Sequence, residues 1–370
     1  MKKKNKPLVI TKEKLVFNEH KSHSWFDIKI ANINTDIKVN NKTKKEKNNT
    51  FIRTKTYRIL PTKKQQRIIK KWIILYNYSY NKTVKFIRTN KDTKINFIQL
   101  RPLIKKSFNI EIKKLINKYK IPSHTIDYAI KDVVTAYKSA FKNLENKNIK
   151  YFSLRYKKLK SPRQSLTLED SAFSKDKNTF CSGILGKFIK SIPENILTGI
   201  SKTCRLTHNI YTNKYYINIP YDIPKNDNTE RGICAIDPGS RTFMTVYSND
   251  KIIQIGNNGT ELIKKSLIKI EETSKELTSN LLNSLDKKKL KKALYIRREK
   301  LKNRIKDMHY KTVKFLCSNF KAILLGKLST KSCIANKRSV LNNTAKKDLV
   351  NLSHFSFRQL LLSKGEVMFK

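Results

Sequence analysis

Apolar and polar positions change period repeatedly along this chain. Residues 51–60, "FIRTKTYRIL", alternate and predict a strand. From "LPTKKQ" onward the period lengthens, and Ile68, Trp72, Tyr76, Tyr80, Val84 and Ile87 recur at helical spacing. Thr62 stands at the N-cap position with Gln65 three residues on, the spacing of a capping box. A second long helix is predicted from near Ser123, with Ile126, Ile130, Val133, Tyr137, Phe141 and Leu144 as its stripe. Aromatic rings on such stripes read as core rather than as stacking platforms.

Between about 150 and 225 the pattern turns β-like. "CSGILGKFIKSI" and "CRLTHNIYTNKYYINIPYD" carry β-branched and aromatic residues, and "YTNKYY" reads as a hairpin turn. "PKNDNTERG", residues 224–232, is polar and turn-rich and predicts a domain boundary. The order is therefore a β-domain (51–60 and 150–225) interrupted by a helical insertion (61–149), then a second unit from 231 to 370. Residues 1–50 are rich in Lys and Asn and read as a disordered basic arm.

Charge narrows the function. The 370 residues hold 81 Lys+Arg against 28 Asp+Glu, a net charge of +53. Such a charge repels itself unless polyanions neutralise it, which makes nucleic acid the leading partner. A compositional bias toward Lys, Asn and Ile is the alternative source of the charge. The five cysteines form no CxxC knuckle, so no zinc site is signalled. Their odd number and irregular spacing fit a reduced, intracellular setting. The start, "MKKKNKPLVITKEK", has too short an apolar stretch for a signal peptide, and no run is long enough to span a membrane.

Against this basic background, "GICAIDPGSRTFMTVYSND" places one carboxylate, Asp237, at the end of an apolar run. Ile233–Ile236 predicts a buried strand, Pro238-Gly239 a turn, Phe243–Tyr247 the next strand and "KIIQIG" a third. Asp237 is thus expected at the lip of a hairpin, at the end of a central strand. Ordinary turn chemistry would also place an Asp before Pro-Gly.

Several stretches together resemble the TnpB family of transposon-encoded RNA-guided nucleases, and most closely its eukaryotic and viral relatives, the Fanzor proteins. They are "KTYRILPTKKQQRIIKKWIILYNYSYNKTVKFI", "IPSHTIDYAIKDVVTAYKSAFKNL", "RGICAIDPGSRTFMTVYS", "IKDMHYKTVKFLCSNFKAILLGKLSTK" and "SHFSFRQLLLSK", in the family's order over about residues 51–365. The resemblance implies an α+β multidomain architecture. A β wedge domain with an inserted helical recognition domain would be followed by a RuvC-like (RNase H type) nuclease domain. It implies DNA and a guide RNA as partners, Mg²⁺ as cofactor, and an intracellular location, the nucleus or a viral factory if the chain comes from a eukaryote or its virus. Asp237 matches the first RuvC carboxylate. Lys63, Lys70, Lys71, Tyr80, Asn81 and Arg241 are the candidates for nucleic-acid contact, with Tyr80-Asn81 matching the family's Tyr-Asn pair.

The match breaks at the second carboxylate. In TnpB proteins it ends the strand that here reads "KAILLGKL", and Gly326 stands in its place with Lys327 beside it. The later glutamate and Thr-Ser-Lys-Thr-Cys signature of Fanzor proteins, the zinc cysteines and the last aspartate would lie beyond "SHFSFRQLLLSK". The expectation is a carboxyl-terminally truncated, catalytically incomplete member that still binds nucleic acid. The rivals are an active Mg²⁺-dependent nuclease completed from elsewhere, and a non-catalytic RNA- or DNA-binding regulator. Acids of the Lys-rich stretch 260–310, Glu299 and Asp307 among them, read as surface partners of lysines. His309 reads as a satisfied helix histidine.

Overall fold

The computed structural model describes residues 28–32, 50–90, 93–174, 179–186, 200–224, 232–257, 259–279, 282–326, 328–335 and 341–368. Its strands are β1 (Ile28–Asn32), β2 (Thr50–Ile59), β3 (Arg163–Leu168), β4 (Cys204–Asn209), β5 (Lys214–Pro224), β6 (Gly232–Pro238), β7 (Met244–Ser248), β8 (Lys251–Ile255) and β9 (Phe320–Leu325). Its helices are α1 (Lys63–Thr89), α2 (Phe97–Lys106), α3 (Ile110–Lys118), α4 (Ser123–Glu145), α5 (Ser182–Leu185), α6 (Gly259–Thr278), α7 (Ser284–Asn319), α8 (Thr330–Ala335), α9 (Asn343–Leu352) and α10 (His354–Met368). The chain is α+β and divides into two units, Ile52–Ile223 and Met1–Phe51 with Pro224–Lys370.

The Ile52–Ile223 unit is built on a four-stranded sheet in the order β2-β5-β4-β3. Helices α1 to α4 lie in sequence between β2 and β3; α1 and α4 pack against β3, and α2 packs against α1 and α4. The start of α1 is fixed locally. Thr62 Oγ1 accepts from the Gln65 N–H, and the Thr62 N–H donates to Gln65 Oε1 at 2.8 Å, a complete capping box. Two otherwise orphaned donors are satisfied this way. The stripe of α1 then buries Trp72, Tyr76, Tyr80 and Val84 against Ile126, Ile130 and Val133 of α4. Trp72 is wholly buried, and its indole N–H donates to the Tyr119 carbonyl at 2.8 Å. Truncating such a residue to alanine costs about 3–5 kcal/mol. The far end of the α4 stripe is less covered: Phe141 and Leu144 are exposed.

Strands β4 and β5 form the hairpin, paired from Arg205↔Asn218 to Asn209↔Lys214. Its turn is held by Asn209 Oδ1, which accepts from the N–H groups of Tyr211 and Thr212, both at 3.1 Å. Asn213 takes the left-handed conformation there, which Asn tolerates better than most residues.

The second unit carries a five-stranded sheet in the order β1-β8-β7-β6-β9. Strands β6, β7 and β8 are an antiparallel meander, whereas β9 runs parallel to β6. A parallel neighbour needs a crossover, here supplied by α6 and the 36-residue α7, about 54 Å long. The inward residues of the meander, including Cys234, Ile236, Val246 and Ile253, join Met308, Val313, Leu316 and Phe357 in one core.

Two expectations are corrected. Residues 28–32, read as part of a disordered arm, form β1, which pairs antiparallel with the outer side of β8, Ile28↔Ile255 to Asn32↔Lys251. An open strand edge recruits a partner through its unpaired backbone groups, whatever the composition of the partner. "CSGILGKFIKSI", expected as strand, begins with the short helix α5, entered from Cys181 in the left-handed conformation and ended by Gly186 at φ 67°. Two glycines flanking "IL" favour a turn there over a continuous ladder. The rest of that stretch lies outside the described residues, as do residues 1–27 and 33–49 of the arm.

Candidate functional site

Asp237 sits within the last turn-ward residues of β6, paired across to Thr245. Side chains alternate along the strand: Cys234 and Ile236 are buried, while Ala235 and Asp237 are exposed on the opposite face. The strand continues one residue beyond the predicted end, to Pro238, which pairs with Met244. The turn then closes with the Gly239 N–H donating to the Phe243 carbonyl at 3.2 Å. A Cβ at Gly239 would meet the Thr242 carbonyl oxygen at 2.7 Å, so only glycine fits.

On its other side β6 is flanked by β9. Ile236 pairs with Leu325, and the next residue, Gly326, donates its N–H to the Ile236 carbonyl at 2.9 Å. Gly326 therefore stands at the strand end beside Asp237. It brings no side chain there, and a Cβ would lie 3.2 Å from the Ile236 oxygen and 3.4 Å from Pro238 Cδ. Lys327 lies outside the described residues.

Behind the turn, Phe243 is wholly buried between two imidazoles. His309 stacks on it at 5.2 Å and His354 at 5.3 Å, with ring planes 14° and 16° from parallel. Phe357 closes the cluster edge-on at 5.2 Å. His309 donates Nε2–H to the Leu352 carbonyl at 2.8 Å. Burial lowers its pKa, partly offset by that bond. Burial takes His354 further, down to about 4, with the neighbouring His309 acting in the same direction. Its ring faces the Gly239 backbone without a well-formed hydrogen bond. These two histidines brace the Asp237 turn from α7 and α10, and no local pattern in the sequence announces that.

Other acids of this unit are engaged elsewhere. Asp307 pairs with Lys311 and Glu261 with Lys265, both at 3.1 Å and at i,i+4 spacing. Glu271 pairs with Lys347 of α9 at 2.6 Å. Asp348 is buried, and burial raises its pKa. Among the described residues no group of three or more His, Cys, Asp or Glu could hold a metal ion. The described residues therefore do not fit a two-metal centre, which needs several carboxylates converging on one point. No disulfide joins the five cysteines. Burial pushes Cys181, Cys204 and Cys234 up to about 12 and Cys317 to about 11, so these four are neutral thiols.

The candidates for nucleic-acid contact separate into two groups. Lys63, Lys70, Lys71 and Arg241 are exposed. Tyr80 and Asn81 are turned inward. Asn81 Nδ2 donates to the Lys157 carbonyl at 2.9 Å, and its Oδ1 accepts from the Lys157 N–H at 2.7 Å. The Lys157 ammonium then lies over the rings of Tyr76, at 4.6 Å, and Tyr80, at 4.4 Å. Burial lowers Lys157 to about 8, opposed by Asp132 at 3.8 Å. Asp132 also accepts from the Tyr76 hydroxyl at 2.7 Å and pairs with Arg205 at 3.1 Å. This network joins α1, α4, the segment before β3, and β4. Its members are too far apart in sequence for any motif to reveal it. Among the described residues no helix is long and apolar enough to cross a membrane.

No family model matches the chain. The "TnpB-like protein L79" of Acanthamoeba polyphaga mimivirus is 33% identical over 403 residues, covering 98% of this chain and 76% of that protein. The "TnpB-like protein L770" of the same virus is 32% identical over 335 residues, covering 85% of this chain and 62% of that protein. Among solved structures, a chain of the Cas12f1-sgRNA-target DNA complex aligns over 87% of this chain and 89% of its own, with TM-score 0.39 and 11% identity.

Proposed function

The chain belongs to the TnpB-like family, and from that premise we propose that it serves a mobile element by binding DNA and a guide RNA, without completing a nuclease centre of its own. By family the activity is RNA-guided, metal-dependent cleavage of DNA. The observation that carries the narrower reading is the position of Gly326, bonded to the Ile236 carbonyl at the strand end beside Asp237: the neighbouring strand end brings no second carboxylate. In this reading the β2-β5-β4-β3 sheet is the wedge, α1 to α4 are the recognition insertion, and the meander with β9 is the RuvC-like part. In this reading the protein works inside the cell, at the nucleus or a viral factory if it comes from a eukaryote or its virus.

The net charge of +53 supports polyanion binding. Each phosphate neutralised by a lysine or arginine releases a counterion, so affinity falls linearly in log–log form with salt. Lys63, Lys70, Lys71 and Arg241 are available for such contacts. Magnesium is the metal this chemistry calls for, and of the positions matched to the family's carboxylates only Asp237 is acidic here. One carboxylate leaves the ion hydrated and mobile, with no water held in line with a phosphodiester.

The test has two arms. Binding of RNA and DNA by the purified chain should be tight at low salt and fall steeply as salt rises; a flat response would remove the electrostatic reading. Incubation with Mg²⁺ or Mn²⁺ and a cognate guide should give no cutting above background. Metal-dependent cutting that disappears in Asp237→Ala would establish the active-nuclease reading instead.

A further inference from the structure

The segment between α4 and β3, residues 147–162, has no regular secondary structure, yet it is held at many points. Phe152 is inserted edge-on against Phe141, at 5.0 Å, and Tyr137, at 6.0 Å. Leu154 packs against the same core. Arg88 donates to Ser153 Oγ at 3.0 Å and also to the Leu154 carbonyl. Asn81 clamps both backbone groups of Lys157. Gln164 Nε2 reaches the carbonyls of Lys158, Leu159 and Ser161 at 2.9, 3.2 and 2.9 Å. Holding an irregular chain costs about 1–2 kcal/mol of backbone entropy per residue, and these bonds oppose that cost.

What the held segment presents is an aromatic and basic row. Phe152 and Leu154 turn inward while Tyr151, Ser153 and Arg155 turn outward. Tyr151 is 86% exposed. Arg155, Lys158 and Lys160 are exposed beyond it, and the Arg88 guanidinium lies over the Tyr156 ring at 4.8 Å. One exposed aromatic residue alone would mean nothing. An exposed ring on a pre-set backbone, followed by cations, combines a stacking face with phosphate contacts and adds little ordering cost on binding.

We propose that residues 151–160 form a binding strip for single-stranded polynucleotide, with Tyr151 stacking on an unpaired base and Arg155, Lys158 and Lys160 contacting phosphates. The inference rests on the nucleic-acid reading above and deepens it. Duplex bases already stack on one another and offer no free face, so the strip discriminates by strandedness. RNA and DNA single strands share this chemistry.

The test uses the full chain and labelled oligo-U RNA, oligo-dT DNA and a duplex of equal length, each about 15 nucleotides, with affinity read by fluorescence anisotropy. Tyr151→Ala should weaken both single strands about 5- to 30-fold and leave the duplex within about twofold, with Tyr151→Phe restoring wild-type affinity. Arg155→Gln and Lys158→Gln should each flatten the salt dependence by about one unit of slope. A larger loss with oligo-U than with oligo-dT would assign the strip to RNA, and the reverse to DNA. If wild type binds all three probes and Tyr151→Ala changes none of them, or changes single strand and duplex equally, the strip is refuted while nucleic-acid binding stands. If wild type binds no probe even at low salt, the broader reading falls as well.

Discussion

The backbone N–H of Gly326 donates to the carbonyl of Ile236 at 2.9 Å, which sets the end of β9 against the strand end that carries Asp237. In the proposed reading Asp237 and Gly326 are the two positions where carboxylates would have to converge, and Gly326 brings no side chain.

Replacing Asp237 by alanine should leave the fold intact, because the side chain is exposed on its strand. Its loss removes one negative charge from a chain of +53. Nucleic-acid affinity should stay equal or rise slightly. Identical melting curves and a Kd within about twofold of wild type are the expected result, and a large loss of binding would show that Asp237 has another role.

Gly326→Glu restores a carboxylate beside Asp237 but should not restore cutting, since two carboxylates fall short of a two-metal set. It should also destabilise the unit. The new Cβ lies 3.2 Å from the Ile236 oxygen, and crowding of this kind costs about 1–3 kcal/mol. Gly326→Ala should show most of the same loss in thermal or urea melts. Metal-dependent cutting by Gly326→Glu would overturn the carboxylate count.

Stability should depend on pH through His354. Its pKa is lowered from the ordinary 6.5 to about 4, chiefly by burial, so the folded chain refuses a proton that the unfolded chain accepts. The unfolded state binds more protons between these values, and stability therefore falls as pH drops from about 6.5 toward 4. Below that both states are protonated and the effect levels off. The ceiling is about 3 kcal/mol, and His309, also lowered by burial, adds in the same direction. His354→Phe keeps an aromatic ring against Phe243 and should flatten the urea-midpoint profile over this window. An unchanged profile would mean that His354 is not held neutral.

Asn81→Ala removes both bonds to the Lys157 backbone. Leaving those groups unsatisfied should cost about 1–3 kcal/mol. Hydrogen exchange should accelerate most in residues 151–160, and single-strand affinity should fall with it. Uniform acceleration across the Ile52–Ile223 unit would point to a global loss instead.

Local physics was readable in the sequence. The capping box of Thr62 and Gln65, the stripes of α1 and α4, the β4–β5 turn and the exposed Asp237 near a strand end all depend on residues within a turn or two of each other. Side-chain spacing and backbone preference encode such features directly. The position of Gly326 opposite the end of β6 was legible only through resemblance, because it depends on the 81 residues between Pro238 and Phe320 bringing β9 back beside β6. Tyr80 and Asn81 carry chemistry that suits a surface equally well. Only the packing of residues 151–160 against α1 turned them inward. The pairing of β1 with β8, and the convergence of Tyr76, Asp132, Lys157 and Arg205, likewise join segments far apart in the chain. Such contacts form where open edges and unpaired polar groups meet in the folded core, and no short window of sequence records which partners will arrive there.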